Sequence, residues 1–425
     1  MSQKTFPILL MLSFLVFGCS NIGNSTGEDI TPTVRLGQIL LSPSPLRAPT
    51  ATLKPANTSP AMLLTKQCLK VAPSHEWDGV LTGTLVLASP TTIGKDYFLD
   101  MRTGTKRPFS NEEYLADNFS VSPNGNWLAY IGGNKSSTTD LLIVQSADGQ
   151  EQFTYPVNYQ EWQSIGYWLD DKTLILWHHA SPLDNIILFN PFTGHKDVMG
   201  LEYPDILPED GYGWDQFWPS ITIYDPSLQH LVYLATGKDG YKPGNAMLVL
   251  WDRKAAHQIT KINNLGLTSV YPLWKSNGSG LVYVKSETGV NPHVGADELF
   301  FLGLDGKSQQ LTKFADYFQK ATIYSYSWSP DERSIALNLE TNSLEEQGQE
   351  RHLLVLNTSS LEIIDYCLAP EQFTPLIWST DSQHLAFSEY LSDQASQTVV
   401  IDLINQEAFV VAENLELAGW LQSVK

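Results

Sequence analysis

The chain has 425 residues, 42% of them hydrophobic and 11% aromatic, with 46 acidic against 26 basic side chains and a formal net charge of −20. A surface of that sign repels polyanions, so nucleic acid and anionic lipid headgroups are excluded as natural electrostatic partners. The apolar content suffices for a large core, and three cysteines are too few for a disulfide-built scaffold.

Residues 1–18 carry Lys4, then an apolar run from Phe6 to Phe17, then Gly18 directly before Cys19. A charged start, an apolar middle and a small residue before the cut are the parts of an export signal. The run is about a dozen residues, short of the roughly 20 that cross a bilayer core as a helix. Val-Phe-Gly-Cys at positions 16 to 19 resembles the lipobox of bacterial lipoproteins. The resemblance implies a diacylglyceryl group on Cys19, and a protein held by that lipid on a bacterial membrane, outside the cytoplasm, in the cell envelope. Each buried acyl CH₂ contributes roughly 0.8 kcal/mol, so more than one chain gives a stable anchor. An ordinary secretory signal that leaves a free thiol is the alternative.

Residues 19–65 are rich in Pro, Ser, Thr and Asn, with LSPSPLRAPTATLKPANTSPA at their centre. Such composition buries too little apolar surface to order itself, and the expectation is a disordered, partly polyproline tether.

Residues 66–425 are dominated by a repeat of an aromatic residue, a tight polar turn and an apolar β-run. The aromatic position falls at Val121, Trp168, Tyr224, Trp274, Trp328 and Trp378, with spacings of 47, 56, 50, 54 and 50 residues. Turn residues such as Pro-Asn-Gly and Ser-Asn-Gly set a hairpin, and a second hairpin follows in each unit, as in IILFNPFTGHKDV and LFFLGLDGKSQQL. Four short antiparallel strands per unit of about 50 residues make a propeller blade, which buries both faces only by stacking on its neighbours. Thr82–Ser89 and the segment from Tyr97 supply three strands of a further unit without an aromatic strand before them. LELAGWLQ supplies the missing strand, with Trp420 falling 42 residues after Trp378. The predicted fold is all-β, a seven-bladed β-propeller of four-stranded antiparallel blades whose first blade is closed by the C-terminal strand.

The copies FSVSPNGNWLAY, YSYSWSPDERSIALN and IWSTDSQHLAF resemble the TolB-like, WD-like β-propeller repeat across most of residues 80–425. The resemblance implies the fold and leaves the activity open, since scaffolds, peptidase gates, sugar-acting enzymes and binding lipoproteins share it. TolB carries a small α/β domain ahead of its propeller, where this chain has the tether, so the partners of TolB are not implied.

The longer loops gather on one predicted face, between second and third strands and between units. Binding residues favour such loops, which makes His178, His179, Tyr212, Trp214, Trp218, Tyr241 and His293 the binding-face candidates. Packing of Trp214 and Trp218 onto a blade edge is the alternative. His178 and His179 end a β-run and point to opposite faces, no spaced metal motif accompanies His293, and neither metal nor cofactor is expected. Glu340, Glu345, Glu346 and Glu350 lack the calcium-loop pattern and read as a solvated charged loop. Neither G-x-S-x-G nor a glycine-rich phosphate loop is present. In an oxidising compartment Cys68 and Cys367 form either a disulfide or two buried thiols. The expected function is a non-enzymatic, membrane-anchored binding or scaffold module for a protein, peptide or glycan. The alternative is an extracytoplasmic carbohydrate-active, lyase-like enzyme, as for the TolB-like propellers that act on uronides.

Overall fold

A computed structural model describes residues 63–72, 77, 81–89, 96–108, 114–134, 140–158, 164–177, 186–199, 217–237, 246–265, 270–286, 295–342, 349–371, 374–392 and 395–422. Among them the structure is almost wholly strand, with one 3-10 turn at Phe314–Asp316, and no helix is long and apolar enough to cross a membrane.

The second strand of each unit shows why the sequence folds this way. In Thr84–Ala88, Leu85 and Leu87 point to one side and Val86 to the other, and all three are fully buried. A strand apolar on both faces needs a neighbour on each side. The antiparallel pairings form seven four-stranded groups among the described residues. The first group is built on Thr84–Ala88, the second on Tyr114–Val121, and the third on Ser164–Trp168. The fourth is built on Phe217–Tyr224, the fifth on Leu273–Trp274, the sixth on Lys320–Trp328 and the seventh on Ile377–Trp378. Seven hydrophobic clusters sit between consecutive groups. One of them joins Leu85 and Trp420 of the first group to Phe409 and Val411 of the seventh, so the two ends of the series share a core. A two-residue parallel bridge, Gly295 to Lys320 and Ala296 to Ala321, also ties the fifth group to the sixth.

Closure of the first group follows the sequence reading. Glu416–Leu421 pairs antiparallel with Thr84–Ala88, placing Leu85 opposite Trp420. The repeat aromatics form a belt between first strands. The indole N–H of Trp168 donates to the Ser120 carbonyl (3.0 Å), Trp274 to Ile223 (3.2 Å), Trp328 to Leu273 (3.4 Å) and Trp378 to Ser327 (3.2 Å). Each acceptor immediately precedes the equivalent position of the preceding unit. Trp420 instead donates to Thr82 of its own group (3.2 Å).

The Ser-Pro-Asp/Asn part of the repeat is also explained. Ser329 Oγ donates to Asp331 Oδ1 (2.6 Å) and accepts the Ser334 N–H (2.9 Å); Ser122 repeats this with Asn124 and Trp127. Four residues after the aromatic position the backbone turns left-handed, at Gly125, Leu228, Gly278, Glu332 and Ser382. Glycine meets that demand without steric cost, whereas Leu228, Glu332 and Ser382 hold it against their Cβ.

The N-terminal boundary needs correction. Leu63–Lys66, three residues of which fall in the expected tether, adds as a parallel fifth strand to the outer strand of the sixth group, Leu63 opposite Glu362 and Lys66 opposite Asp365. Val71–Ala72 does the same at the seventh group, beside Ala408 and Phe409. Composition hides these strands because backbone pairing, not side-chain burial, holds Leu63–Lys66: Leu63 is 58% exposed. Between the two strands Cys68 is joined to Cys367 by a disulfide with Cα atoms 4.7 Å apart. Glu340 is likewise no loop residue. It lies in Ser334–Asn342, 5% exposed, with Arg351 Nε 3.6 Å away and the Tyr324 hydroxyl donating to it. Glu350 belongs to the strand Gln349–Asn357, and Glu345 and Glu346 lie outside the described residues.

Asp297 gives a pH-dependent prediction. Burial pushes its carboxyl up to about 6, against a hydrogen bond from the Ile323 N–H, with Glu298 adding to the rise and Lys320 opposing it. A carboxyl raised in the fold binds its proton more tightly folded than unfolded, so stability falls as pH climbs from about 4 through 6. Asp297→Asn is expected to stabilise the protein at pH 7.5 by on the order of 1–3 kcal/mol and to have little effect at pH 4. Urea denaturation at both pH values checks this; an equal gain at the two would refute it.

Candidate functional site

A cavity of about 1140 Å³ is lined by first strands and short turns of the second to sixth groups, together with Trp177 and Ile186 from the second and third strands of the third group. Trp168, Trp274 and Trp328 line it from the belt, joined by Tyr167, Tyr224 and Tyr271. Tyr271 is 52% exposed, unusual for so large a ring, while its carbonyl accepts from the buried Tyr326 hydroxyl (2.6 Å). Tyr167 and Tyr224 are locked together: the Tyr167 hydroxyl accepts the Tyr224 N–H at 3.1 Å. Burial pushes the Tyr167 hydroxyl above its ordinary value, so it stays protonated.

The charged groups of the described lining are mostly acidic: Asp170, Asp171 and Glu332 against Lys275. Asp171 Oδ1 accepts the Asn124 N–H of the neighbouring turn (2.9 Å), and Asp170 Oδ1 accepts the N–H groups of Lys172 and Thr173 (2.8 and 2.7 Å). Glu332 reaches the turn of the fifth group, accepting from the Ser276 hydroxyl and from both the backbone and side-chain nitrogens of Asn277. Lys275 stands 3.8 Å from the Glu332 carboxylate, with its ammonium 5.0 Å from the Trp328 ring centroid. Among the described residues, neither imidazole nor thiol lines the cavity. The described lining offers flat apolar faces, hydroxyls and carboxylates.

The lining combines short-turn residues such as Asn124, Asp171, Pro226, Ser276 and Glu332 with Trp177 and Ile186, which flank residues 178–185, where two of the sequence candidates fall. His178, His179, Tyr212, Trp214, Tyr241 and His293 lie outside the described residues; Trp218 is placed in the strand Phe217–Tyr224, its backbone opposite Thr236. Sequence reasoning took the repeat aromatics as fold markers, although the same rings also wall the cavity. The missed signal was Tyr271-Pro272-Leu273-Trp274-Lys275, the one copy that sets a second aromatic and a cation around its tryptophan.

One arrangement has the outline of a catalytic relay. Thr341 Oγ1 lies 3.1 Å from His352 Nε2, and His352 Nδ1 lies 3.1 Å from Asp365 Oδ2. Burial raises the Asp365 carboxyl, but hydrogen bonds from His352 and the Cys367 N–H, with the charges of His352 and Lys66, hold it below its ordinary value. Thr341 and Asp365 are each 1% exposed and His352 7%, so no substrate carbonyl can reach the hydroxyl. The three residues satisfy one another across the sixth group's second, third and outer strands. Among the described residues no group of three or more His, Cys, Asp or Glu side chains is arranged to hold a metal ion.

No protein-family model matches the chain, and neither does any curated protein sequence. Solved structures do resemble it. An oligogalacturonate lyase in complex with manganese superposes with a TM-score of 0.52 at 13% identity, over 78% of this chain and 86% of that one. Oligogalacturonate lyase from Vibrio parahaemolyticus gives 0.49 at 13% identity over 77% and 85%, and TolB from Acinetobacter baumannii gives 0.39 at 10% over 79% and 66%. At these identities the likeness is one of fold: the chain is an all-β protein of the β-propeller kind.

Proposed function

We propose that this protein is a membrane-anchored, extracytoplasmic binding module that takes its ligand in the aromatic cavity. The cavity is the observation that carries the reading, because its aromatic faces and few polar groups suit holding a ligand. The export signal and Cys19 support the location, and the Pro/Ser/Thr-rich segment supplies a tether. The uronide-lyase alternative draws on the shared fold with the oligogalacturonate lyases, but a polyanionic substrate would meet Asp170, Asp171 and Glu332 in this cavity.

Two measurements test the proposal. Wild-type protein is expected to sediment with membranes and Cys19→Ser to remain in the soluble fraction; equal partitioning would remove the anchor. Tryptophan fluorescence of the full mature chain, titrated with spermidine, tri-arginine, maltotriose and trigalacturonate, is expected to saturate with at least one probe that is recovered unchanged. Conversion of a probe to product, or saturation by none, would overturn the binding role.

A further inference from the structure

We infer that the cavity recognises a positively charged organic group, an amine or guanidinium, on its ligand; this rests on the binding role proposed above. Among the described residues the lining carries three carboxylates, Asp170, Asp171 and Glu332, against one cation, Lys275. That cation is already committed to Glu332 at 3.8 Å and to the face of Trp328. Asp170 and Asp171 therefore have no cationic partner among the described residues. Each uses only Oδ1 for hydrogen bonds to backbone N–H groups, and neither Oδ2 has a hydrogen-bond partner among the described residues. The rings of Tyr167, Trp274 and the exposed Tyr271 line the same cavity.

Lys275 shows what the surroundings favour. Its ammonium sits between a carboxylate and an indole face, the arrangement in which the ring quadrupole and a formal charge attract the same cation. Asp170 and Asp171 bring two further carboxylates to the same aromatic-lined cavity, with no cation among the described residues to satisfy them. An anionic ligand entering there would lose hydration against an uncompensated negative field, whereas a cation gains at both the carboxylates and the rings. The net charge of −20 adds long-range attraction for cations at low ionic strength.

The test compares probes and variants on the full mature protein. Spermidine and tri-arginine are expected to bind in fluorescence and calorimetric titrations, more weakly as salt rises, and trigalacturonate to bind at least tenfold more weakly than either. The double variant Asp170→Asn/Asp171→Asn keeps the carbonyl acceptors for the Asn124, Lys172 and Thr173 N–H groups. It is expected to lose at least tenfold in affinity for the cationic probes while its thermal transition stays within about two degrees of wild type. Tighter binding of spermidine than of tri-arginine would assign the cation to a free polyamine, and the reverse order to a peptide side chain. Saturable binding of maltotriose or trigalacturonate with none of either cation would overturn this inference and leave the binding role standing. Cation binding unchanged in the double variant would also overturn it, by moving the site elsewhere. Saturation by no probe would overturn both.

Discussion

Replacing Trp420 with alanine is expected to lower the unfolding free energy by about 3–5 kcal/mol, the largest effect of any single substitution considered for this fold. The side chain is 2% exposed and fills the cluster shared by the first and seventh groups, and its indole N–H holds the Thr82 carbonyl. It also stands on the strand that closes the first group, so its loss loosens the pairing of Leu85, Val86 and Leu87 with the C-terminal segment. No rearrangement fills the void cheaply, because Gly83 approaches so near that the indole leaves no room for a Cβ there. Trp420→Phe, which keeps most of the ring but loses the donor, is expected to cost about 1–2 kcal/mol. Urea titrations followed by far-ultraviolet circular dichroism would measure both. An alanine variant as stable as wild type would mean that the C-terminal strand does not close the fold.

The second large effect is expected at the disulfide. Cys68 and Cys367 are 299 residues apart in sequence, so the link restricts a very long loop in the unfolded chain. Disulfides typically contribute about 2–4 kcal/mol, below the roughly 5–6 kcal/mol that loop closure alone would give for a loop this long. Cys68→Ser, Cys367→Ser and reduction of the wild-type protein should all show it as a lowered denaturation midpoint. The effect should also be local. In the linked form the Gln67 N–H donates to the Asp365 carbonyl (2.7 Å) and the Leu69 N–H to the Tyr366 carbonyl (3.1 Å). Without the covalent link, these bonds and four residues of exposed strand are left to hold the segment, and limited proteolysis should cut between residues 60 and 75 before the rest of the fold. Cleavage at the same rate with and without the bond would refute this account.

Much of the fold was legible because the repeat is chemically redundant. Trp168, Trp274, Trp328 and Trp378 mark equivalent positions, and the Ser-Pro-Asn/Asp turns follow from a hydroxyl that bridges the hairpin. Trp420 was readable as the closing residue because its strand completed a group of three. Leu63–Lys66 was not readable: four residues paired through their backbones at a sheet edge leave no hydrophobic period, and the neighbouring prolines suggest a tether. The cavity was hidden for a different reason. Sequence reasoning assigned recognition to loop length, whereas the cavity is walled by strand ends whose aromatics had already been explained by the fold. Nothing in the order of residues 271–275 says that Tyr271 is exposed or that Lys275 has Glu332 for a partner; both depend on how adjacent units meet.

The parallel strand at the sixth group also has a mechanical meaning. A pull on the chain ahead of Leu63 runs along the direction of the pairing with Glu362–Asp365, loading those hydrogen bonds together in shear, and then reaches the covalent link at Cys68. The load passes into the sixth group there, before it can travel on to Thr84–Ala88 and peel that strand from Glu416–Leu421. Single-molecule pulling should therefore find a lower unfolding force in the Cys367→Ser protein, where the same pull arrives at the seam. In the intact protein a load entering ahead of Leu63 is taken up before it reaches Thr84–Ala88, and a domain held at that end can be tugged without its seam being peeled from that side.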